Sequence, residues 1–401
     1  MKNITITQPQ FVTDFKCIGE ACREHCCQGW NITFDKPSVN RYLNSKQLQI
    51  RTTAKAAIKI TKKSPANWGE VIFSTKNSNC PFMDAAKLCS IHGILGAEAL
   101  STTCSTFPRT SRIYKNEIER SLNLSCPEVT RMLVSNKDAM ALNQITDIQK
   151  NFNNAPALPL KDKIINLFCQ NIFSIPVGSV EIHIYAIVKF LMVVEKIENI
   201  ESGIGRLENA YHILADEIVN GKLQTELAGI NQNYNLKSSI ISLMQTFFKE
   251  KSHTRGGGVL QKYIEQLQQQ LIGENELCSF NEIIQDIESS WLNVSEKCFD
   301  HDYYVFKNYF KYKFWQQGFP QRNGRSMLNN LYLIVAEFYF IKILLSTHEL
   351  VNGSVEQDDI IDVIYSFHST SQHNQTIQQI FHQHIEKVRC GDDLSLLQLL
   401  I

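Results

Sequence analysis

The chain has 401 residues, of which 43% are hydrophobic and 20% charged, and its formal net charge is +0. This composition is typical of folded globular proteins and excludes a largely disordered chain. Balanced charge also argues against a nucleic-acid-binding protein, which usually carries a basic excess. A chain of this length is expected to form two or three domains.

The start of the chain lacks the features of a secretory signal. In MKNITITQPQFVTDF, no apolar run follows the basic residue. We therefore expect a cytoplasmic protein, whose thiols stay reduced and available to metals instead of forming disulfides.

A dense group of cysteines follows. Eight of the 12 cysteines lie within the first 126 residues, and four of these fall within eleven residues. The eight are Cys17, Cys22, Cys26, Cys27, Cys80, Cys89, Cys104 and Cys126. Because a packed core has no need for thiols at this density, we predict that they bind a metal centre.

The spacing of these cysteines leaves the metal open. The first four have the pattern C-x4-C-x3-C-C, which is neither the C-x2-C of zinc ribbons nor the C-x2-C-x2-C run of bacterial ferredoxins. Cys80-Pro81 and Cys126-Pro127 resemble the Cys-Pro pair of ferredoxins and favour an iron–sulfur cluster, with zinc as the alternative. Neighbouring side chains point in different directions, so Cys26 and Cys27 should not bind one tetrahedral ion. Either one of them supports the site from outside, or two sites share the segment.

Other polar residues lie close to these cysteines in sequence. His25 and His92 are alternative ligands, since histidine replaces cysteine at some zinc and iron–sulfur sites. Arg109 is a candidate for stabilising a negatively charged cluster, although a surface arginine after a turn has the same pattern.

Residues 1–135 predict a mostly irregular domain that the metal organises. WNITFD and EVIFST are typical of short strands, whereas AKAAIKITKK favours a helix. The prolines and asparagines of NNAPALPLKD predict a linker over residues 136–160.

Residues 161–401 predict a helical domain, because apolar residues recur at intervals of three and four. The predicted helices span 161–173, 179–198, 204–220, 236–250, 258–272, 280–291, 302–316, 326–347, 355–370 and 374–389. Gly256-Gly257-Gly258 marks a turn or a loose linker. The predicted fold class is therefore mainly α, with an irregular cysteine-rich metal-binding N-terminal domain followed by a multi-helix domain.

Two of these helical segments have a distinctive composition. The apolar run at 331–345 is too short and too charged to cross a membrane, so we expect a buried helix and no membrane partner. Residues 303–315 hold eight aromatic side chains interleaved with lysines. Without a basic excess they predict a core helix instead of a nucleic-acid surface; an aromatic wall for a cofactor or a substrate lysine is the alternative.

Several strings together resemble one known family, the flagellin lysine N-methylases, which belong to a larger group with a zinc- or iron-chelating domain of the CxxCxxCC type. The similar strings are FKCIGEACREHCCQGWNITFD, NCPFMDAAKLCSIHGILGAEALSTTCSTFPR, SLNLSCPEVTR, NYFKYKFWQQGFP and SFHSTSQHN. The resemblance spans most of the chain. It implies a methyltransferase that transfers methyl groups from S-adenosylmethionine to flagellin lysines, with a 4Fe–4S cluster held by the clustered cysteines.

No familiar site for S-adenosylmethionine is visible. Gly203-Ile204-Gly205 does not follow a convincing strand, so it is not the glycine-rich turn of a Rossmann-type site. Cys22 and Cys26 have the first spacing of the C-x3-C-x2-C motif of radical enzymes, but position 29 is glycine. The resemblance implies an unconventional site in which an open iron coordinates the cofactor, and no cofactor-binding residue is assigned.

Methyl transfer to lysine requires a neutral amine, whereas a lysine with a pKa of about 10.4 is almost fully protonated at pH 7. Candidate bases are His373, Glu337 and the tyrosines of 303–315. A structural role is the alternative for each, so no catalytic residue is assigned.

Two other functions remain open, a non-catalytic zinc-organised binding protein and an iron–sulfur redox carrier or sensor. The sequence does not determine the oligomeric state.

Overall fold

The computed structural model describes residues 2–29, 32–73, 79–149, 154–272, 279–299, 304–320, 324–371, 375–388 and 392–401. Helices dominate these residues, which confirms the mainly α fold class. Two small sheets occur in the N-terminal third of the chain.

The larger sheet gathers strands from before and after the cysteine-rich segment. Its strands are β1 (Lys2–Pro9), β5 (Arg109–Ile113), β6 (Glu117–Leu122) and β7 (Leu142–Gln149), in the order β5-β6-β1-β7. β1 pairs in parallel with β6, with Ile6 opposite Ile118. Parallel neighbours need a crossover connection, so the chain between β1 and β6 leaves the sheet and returns to it. Most of the cysteine-rich segment is therefore an insertion whose two ends meet at this sheet.

Strand β7 lies where the sequence predicts a linker. It pairs antiparallel with β1 over its full length, from Gln149 opposite Lys2 to Leu142 opposite Pro9. Its apolar residues recur every third position, at Leu142, Ile145 and Ile148, which is no strand signal. Pairing with β1 decides the conformation instead. Leu142–Gln149 therefore belongs to the sheet and not to a linker. The domain boundaries at residues 135 and 160 stay a prediction.

The inserted segment is more regular than the sequence predicts, and it has a small core of its own. Its three strands are β2 (Thr33–Phe34), β3 (Ile58–Ile60) and β4 (Gly69–Val71), which pair in the order β2-β4-β3. Its helices are α2 (Lys36–Leu43), α3 (Leu48–Ala57), α4 (Ser90–Leu95) and α5 (Thr102–Thr106). Tyr42 packs against the rings of Phe34 and Phe82 at centroid distances of 5.3 and 5.9 Å. The Tyr42 hydroxyl donates to the carbonyl of Ala99 at 2.6 Å.

Both predicted short strands are present, as β2 and β4, but the predicted helix AKAAIKITKK is only partly correct. It ends at Ala57, and Ile58–Ile60 pairs with β4 instead. β-branched side chains such as isoleucine favour this pleated pairing. Two more short helices frame the insertion, α1 (Gln10–Asp14) and α6 (Pro127–Ser135).

The remaining chain forms the predicted helical half. Its helices are α7 (Leu160–Phe173), α8 (Val180–Glu195), α9 (Ile200–Val219), α10 (Lys222–Ala228), α11 (Tyr234–Lys249), α12 (Gly257–Ile272), α13 (Phe280–Phe299), α14 (Tyr304–Gln317), α15 (Met327–Asn352), α16 (Gln357–Ser371) and α17 (Gln375–Val388). Each predicted helix is found. The sequence does not predict α10, because seven residues are too few to show a helical repeat.

Helix α15 confirms the buried helix expected at 331–345. Among the described residues it is the one helix long and apolar enough to cross a membrane, but 94% of its most apolar window is buried inside the protein. Two of its charged side chains form ion pairs with neighbouring helices. Glu337 contacts Lys313 of α14 at 2.5 Å, and Lys342 contacts Glu181 of α8 at 3.0 Å.

The segment directly after β6 and the helical half share the main hydrophobic core. Leu124 and Cys126 belong to the same buried cluster as the apolar residues of α14, α15 and α16. The backbone N–H of Leu124 donates to the Tyr312 hydroxyl at 3.3 Å. Ser369 of α16 donates to the carbonyl of Ser125 at 3.2 Å. The last of the eight clustered cysteines therefore lies against the helical half.

Candidate functional site

The eight predicted ligands lie on turns and helix ends around the inserted segment. All eight are reduced thiols. Cys89 and Cys126 precede the first residues of α4 and α6, and Cys104 lies on α5. Cys17 and Cys26 are exposed, Cys80 and Cys126 are buried, and the others are half-buried.

Four thiols, which we call the inner set, surround the small core. They are Cys27, Cys80, Cys89 and Cys104. Cys80 is part of this core, and the other three pack against it. The backbone N–H of Cys80 donates to the carbonyl of Cys27 at 2.8 Å, which holds the two cysteine strings together. Burial raises the pKa of Cys80 to about 12, and the neighbouring thiols of Cys104 and Cys89 add to the rise.

The other four thiols, which we call the outer set, do not belong to this small core. They are Cys17, Cys22, Cys26 and Cys126. Burial raises the pKa of Cys22, and repulsion by Cys17 and Cys26 contributes. Burial also raises the pKa of Cys126 to about 12, with a contribution from Cys22. Thiols at the entry and the exit of the insertion therefore lie near one another.

Cys26 and Cys27 lie between the two sets and share a hydrogen bond through their sulfurs. This bond lowers the pKa of Cys26 and raises that of Cys27. Arg255 also lowers the pKa of Cys26, whereas Cys80 and Cys89 act on Cys27. Cys26 also acts on Cys80, Cys89 and Cys104, so the two adjacent thiols share neighbours in the small core.

Arg255 enters the site from the segment before α12, and sequence reasoning missed it. Its side chain is 3% exposed. Nε donates to the carbonyl of His25 at 3.2 Å, and Nη2 lies 3.5 Å from the carbonyl of Glu24. Nη1 is buried without a hydrogen-bond partner. Arg109, the arginine that the sequence favours, instead lies over the ring of Phe15 at 5.1 Å.

Arg23, within the first cysteine string, ties that string to the helical half. Its guanidinium forms ion pairs with Asp358 at 2.6 Å and Asp362 at 2.8 Å, both on α16. Partly exposed pairs of this kind add little stability. Their geometry nevertheless fixes where the string between Cys22 and Cys26 lies.

Glycines allow the backbone of the first cysteine string to approach the backbone of the segment before α12. Gly29 has φ +65°, and a Cβ there would lie 2.6 Å from the Arg255 nitrogen. Gly256 has φ +74°, and its N–H donates to Glu24 Oε1 at 2.9 Å. A Cβ on Gly257 would lie 2.2 Å from the Lys251 oxygen. The glycine run is therefore a close-packed turn and not a loose linker.

This packing gives a matched pair of glycine variants. Gly257→Ala should lower the free energy of unfolding by about 2–4 kcal/mol, because the new methyl group collides with backbone that cannot move alone. Gly258→Ala meets no atom within 4 Å and lies exposed in the first turn of α12. It should raise stability slightly, by up to about 1 kcal/mol. Urea unfolding followed by circular dichroism would measure both, and equal effects would contradict the close packing.

The described residues contain no preformed site for a single metal ion. Within the described ranges, no three His, Cys, Asp or Glu side chains converge closely enough to hold one metal ion. Zinc needs four ligands within about 2.3 Å of one centre, whereas several irons hold their cysteines further apart. His92 is exposed, and burial lowers the pKa of His25. The assignment of the eight cysteines as ligands stays a prediction.

The candidate bases are poorly suited to accept a proton. Burial opposes ionisation of Glu337, but Lys313 prevails and lowers its pKa to about 2. Burial raises the pKa of Tyr309 and of Tyr312. His373 lies outside the described residues. Catalytic residues therefore stay unassigned.

Helix α14 is a core helix, as the sequence predicts, because most of its described rings are buried. Tyr309, Phe310 and Phe314 are each 0% exposed. Lys307 is buried with them and donates to the carbonyl of Ile175 at 2.9 Å. Tyr303 lies outside the described residues. The aromatic content of the segment is explained by packing in the main core.

A cavity of about 560 Å³ lies between α7, α14 and the chain that follows α6. Lys137, Gln170, Phe173, Tyr304 and Lys311 contribute to its lining. Its volume falls within the range of small-molecule sites. It lies beyond the C-terminal end of α6, whereas Cys126 precedes the N-terminal end, so the length of that helix puts roughly 14 Å between them. A molecule in this cavity would be remote from the thiols.

Comparison with known proteins identifies the family. Residues 166–399 match the family described as FliB lysine N-methylase C-terminal domain. The chain is 43% identical over 401 residues to the lysine-N-methylases of Salmonella typhimurium and Salmonella choleraesuis, covering 100% of both chains in each case. It is 51% identical over 144 residues to the flagellar biosynthetic protein FliU of Salmonella muenchen, which is 36% of this chain and 85% of that one. No solved structure matches the chain. Similarity over the whole length shows that the chain belongs to the FliB lysine N-methylase family.

Proposed function

We propose that the protein is a cytoplasmic methyltransferase that transfers methyl groups from S-adenosylmethionine to lysines of flagellin. One observation carries the proposal, the 43% identity over both full lengths with a lysine-N-methylase. That relationship supports methylation of protein lysines. The flagellar name of FliU supports a flagellar substrate, and flagellin is the specific substrate we propose.

The reaction sets one physical requirement. The lysine ammonium must first lose a proton; its nitrogen then bonds to the methyl carbon as the carbon–sulfur bond of the sulfonium breaks. S-adenosylhomocysteine leaves, and each methyl transferred releases one proton. Because burial lowers the pKa of a lysine, the enzyme needs a desolvated place for the substrate side chain.

We also propose that the clustered cysteines hold an iron–sulfur cluster, with zinc as the alternative metal. The support is the number of thiols and the buried Arg255, whose positive charge would offset that of a thiolate-bound centre. When bound, the cluster would supply an open iron able to coordinate S-adenosylmethionine.

The test is methyl transfer by the intact chain, with methyl-labelled S-adenosylmethionine and purified flagellin as substrates. We expect label on lysines, and a rate that rises up to about tenfold per pH unit below the pKa of the bound lysine, because only the neutral amine reacts. Flagellin whose lysines have been acetylated is the control and should take up no label.

Two outcomes would contradict the proposal. Absence of label on flagellin lysines, together with reversible redox cycling of bound iron, would favour an iron–sulfur carrier. Stoichiometric zinc without sulfide in anaerobically purified protein, again without transfer, would favour a zinc-organised binding protein.

A further inference from the structure

We propose that a small cavity between α7, the end of α14 and the larger sheet binds the side chain of the substrate lysine. The cavity has a volume of about 210 Å³. Sites for whole small molecules usually measure about 300–1,000 Å³, so this one suits a single side chain better than a complete cofactor. The inference rests on the proposed function, because it locates the lysine that would be methylated.

Part of the cavity lining is aromatic. Trp315 and Phe319 line it and are 5% and 3% exposed. Phe319 stacks on Phe314 at a centroid distance of 4.1 Å, and Trp315 Nε1 donates to the carbonyl of Arg120 at 2.9 Å. These contacts hold both rings in place. Aromatic faces attract alkylammonium groups, and the guanidinium of Arg112 already lies 5.8 Å from the centre of the Trp315 ring.

Two side chains of α7 supply acceptor oxygens to the same cavity. Asp162 and Asn166 both line it, and their spacing of four residues puts them on one face of the helix, with Cβ atoms about 5–6 Å apart. Asn166 Nδ2 donates to the carbonyls of Phe314 and Phe319 at 3.3 and 3.0 Å. Because a carbonyl can only accept, these bonds fix the orientation of the amide and leave Asn166 Oδ1 to accept from a ligand.

The charges of the lining favour a cation. Arg112 pairs with Glu119 at 2.7 Å, and Lys163 pairs with Glu117 at 2.8 Å. Asp162 is half-buried and forms no hydrogen bond or ion pair with any other described residue. Burial raises its pKa, despite the opposing effect of the lysine that precedes it in the chain. The three carboxylates and two cations of the lining therefore leave one negative charge, which an ammonium would neutralise.

A lysine side chain matches this arrangement in shape and in charge. Its ammonium has three donors and would bind between Asp162 and Asn166. Its methylene chain would pack against Trp315 and Phe319. The cavity reaches the surface near Lys163, whose side chain is 49% exposed, so a lysine of another protein has a way in. Asp162 would bind the ammonium, and the group that removes its proton before transfer stays unassigned.

The test is isothermal titration calorimetry of purified flagellin with the full chain, without methyl donor. Asp162→Asn keeps the size of the side chain and removes its charge. We expect it to weaken flagellin binding by about tenfold or more, because a charge-assisted hydrogen bond is lost. Asp162→Glu should restore most of the affinity. Flagellin with acetylated lysines should bind the wild type and Asp162→Asn equally.

Glu201→Gln is the matched control. Glu201 lies exposed in the first turn of α9, as Asp162 lies in the first turn of α7, and a negative charge there favours either helix through its dipole. If Asp162 served only its helix, Asp162→Asn would lower stability as Glu201→Gln does and leave flagellin binding unchanged. That result would overturn the proposal. Equal weakening for acetylated flagellin, or no lysine-dependent binding by the wild type, would also overturn it.

Methyl transfer by the same samples separates this inference from the proposed function. Label on flagellin lysines, with flagellin binding unchanged by Asp162→Asn, would refute the lysine pocket and leave the methyltransferase standing. Flagellin binding that depends on Asp162, without any label on flagellin, would support the pocket and count against the proposed function.

Discussion

Cys22→Ala is expected to lower methyl transfer to flagellin by about 100-fold or more, with loss of the bound metal. The reason is that Cys22 lies beside Cys17, Cys26 and Cys126, so its loss removes one thiolate from the proposed metal site. Labelled methyl transfer and iron analysis on the same anaerobic sample would measure both effects.

Cys169→Ala is the matched control, since it removes the same atoms. Cys169 is 0% exposed on α7 and lies in the main core, where a thiol behaves as a small hydrophobe. It should lose about 1 kcal/mol of stability and keep both metal and activity. Undiminished transfer by metal-free Cys22→Ala would rule out a catalytic cluster, and metal loss in Cys169→Ala would show that ligands come from the helical half.

The helices were predictable because their signal is local. Apolar residues at intervals of three and four mark α7 and α15 without knowledge of any partner. The larger sheet was not predictable in this way. Strand β1 pairs with β6 across the whole cysteine-rich insertion, and β7 shows no alternation of its own. Strand conformation here depends on pairing, which a short stretch of sequence does not reveal.

The same contrast applies to the site. Density alone makes the eight cysteines candidate ligands, but that Cys80 lies beside Cys27 appears only when the insertion folds back on itself. Arg255 lies 230 residues from His25, whose carbonyl it binds. One local signal was present, the glycine run directly after this arginine, which requires close backbone approach.

Glu337→Gln should be the most destabilising substitution considered for the helical half, at about 3–5 kcal/mol. Glu337 is 0% exposed and accepts from Lys313 at 2.5 Å, while Nε2 of His382 lies 3.2 Å from its other oxygen. Glutamine would leave the buried Lys313 without its counter-ion. Glu70→Gln is the control: Glu70 pairs with Lys63, which is 61% exposed, so the loss should stay below about 1 kcal/mol.

The difference between wild type and Glu337→Gln should also depend on pH. The pKa of Glu337 is lowered from 4.5 to about 2 in the folded protein, chiefly by Lys313 acting against burial. A carboxyl whose pKa falls on folding stabilises fully above its unfolded pKa, and this contribution is lost as pH falls through its folded pKa. The advantage of wild type over the variant, about 3 kcal/mol or more at pH 7, should therefore shrink as the pH falls from 4.5 towards 2. Urea unfolding of both proteins at pH 7 and in this acidic range measures the difference in their free energies of unfolding. A difference that increases as the pH falls would show that Glu337 is not held as an anion. Lys313→Met combined with Glu337→Gln should recover part of the loss at pH 7, because it removes the uncompensated charge that makes the single variant costly.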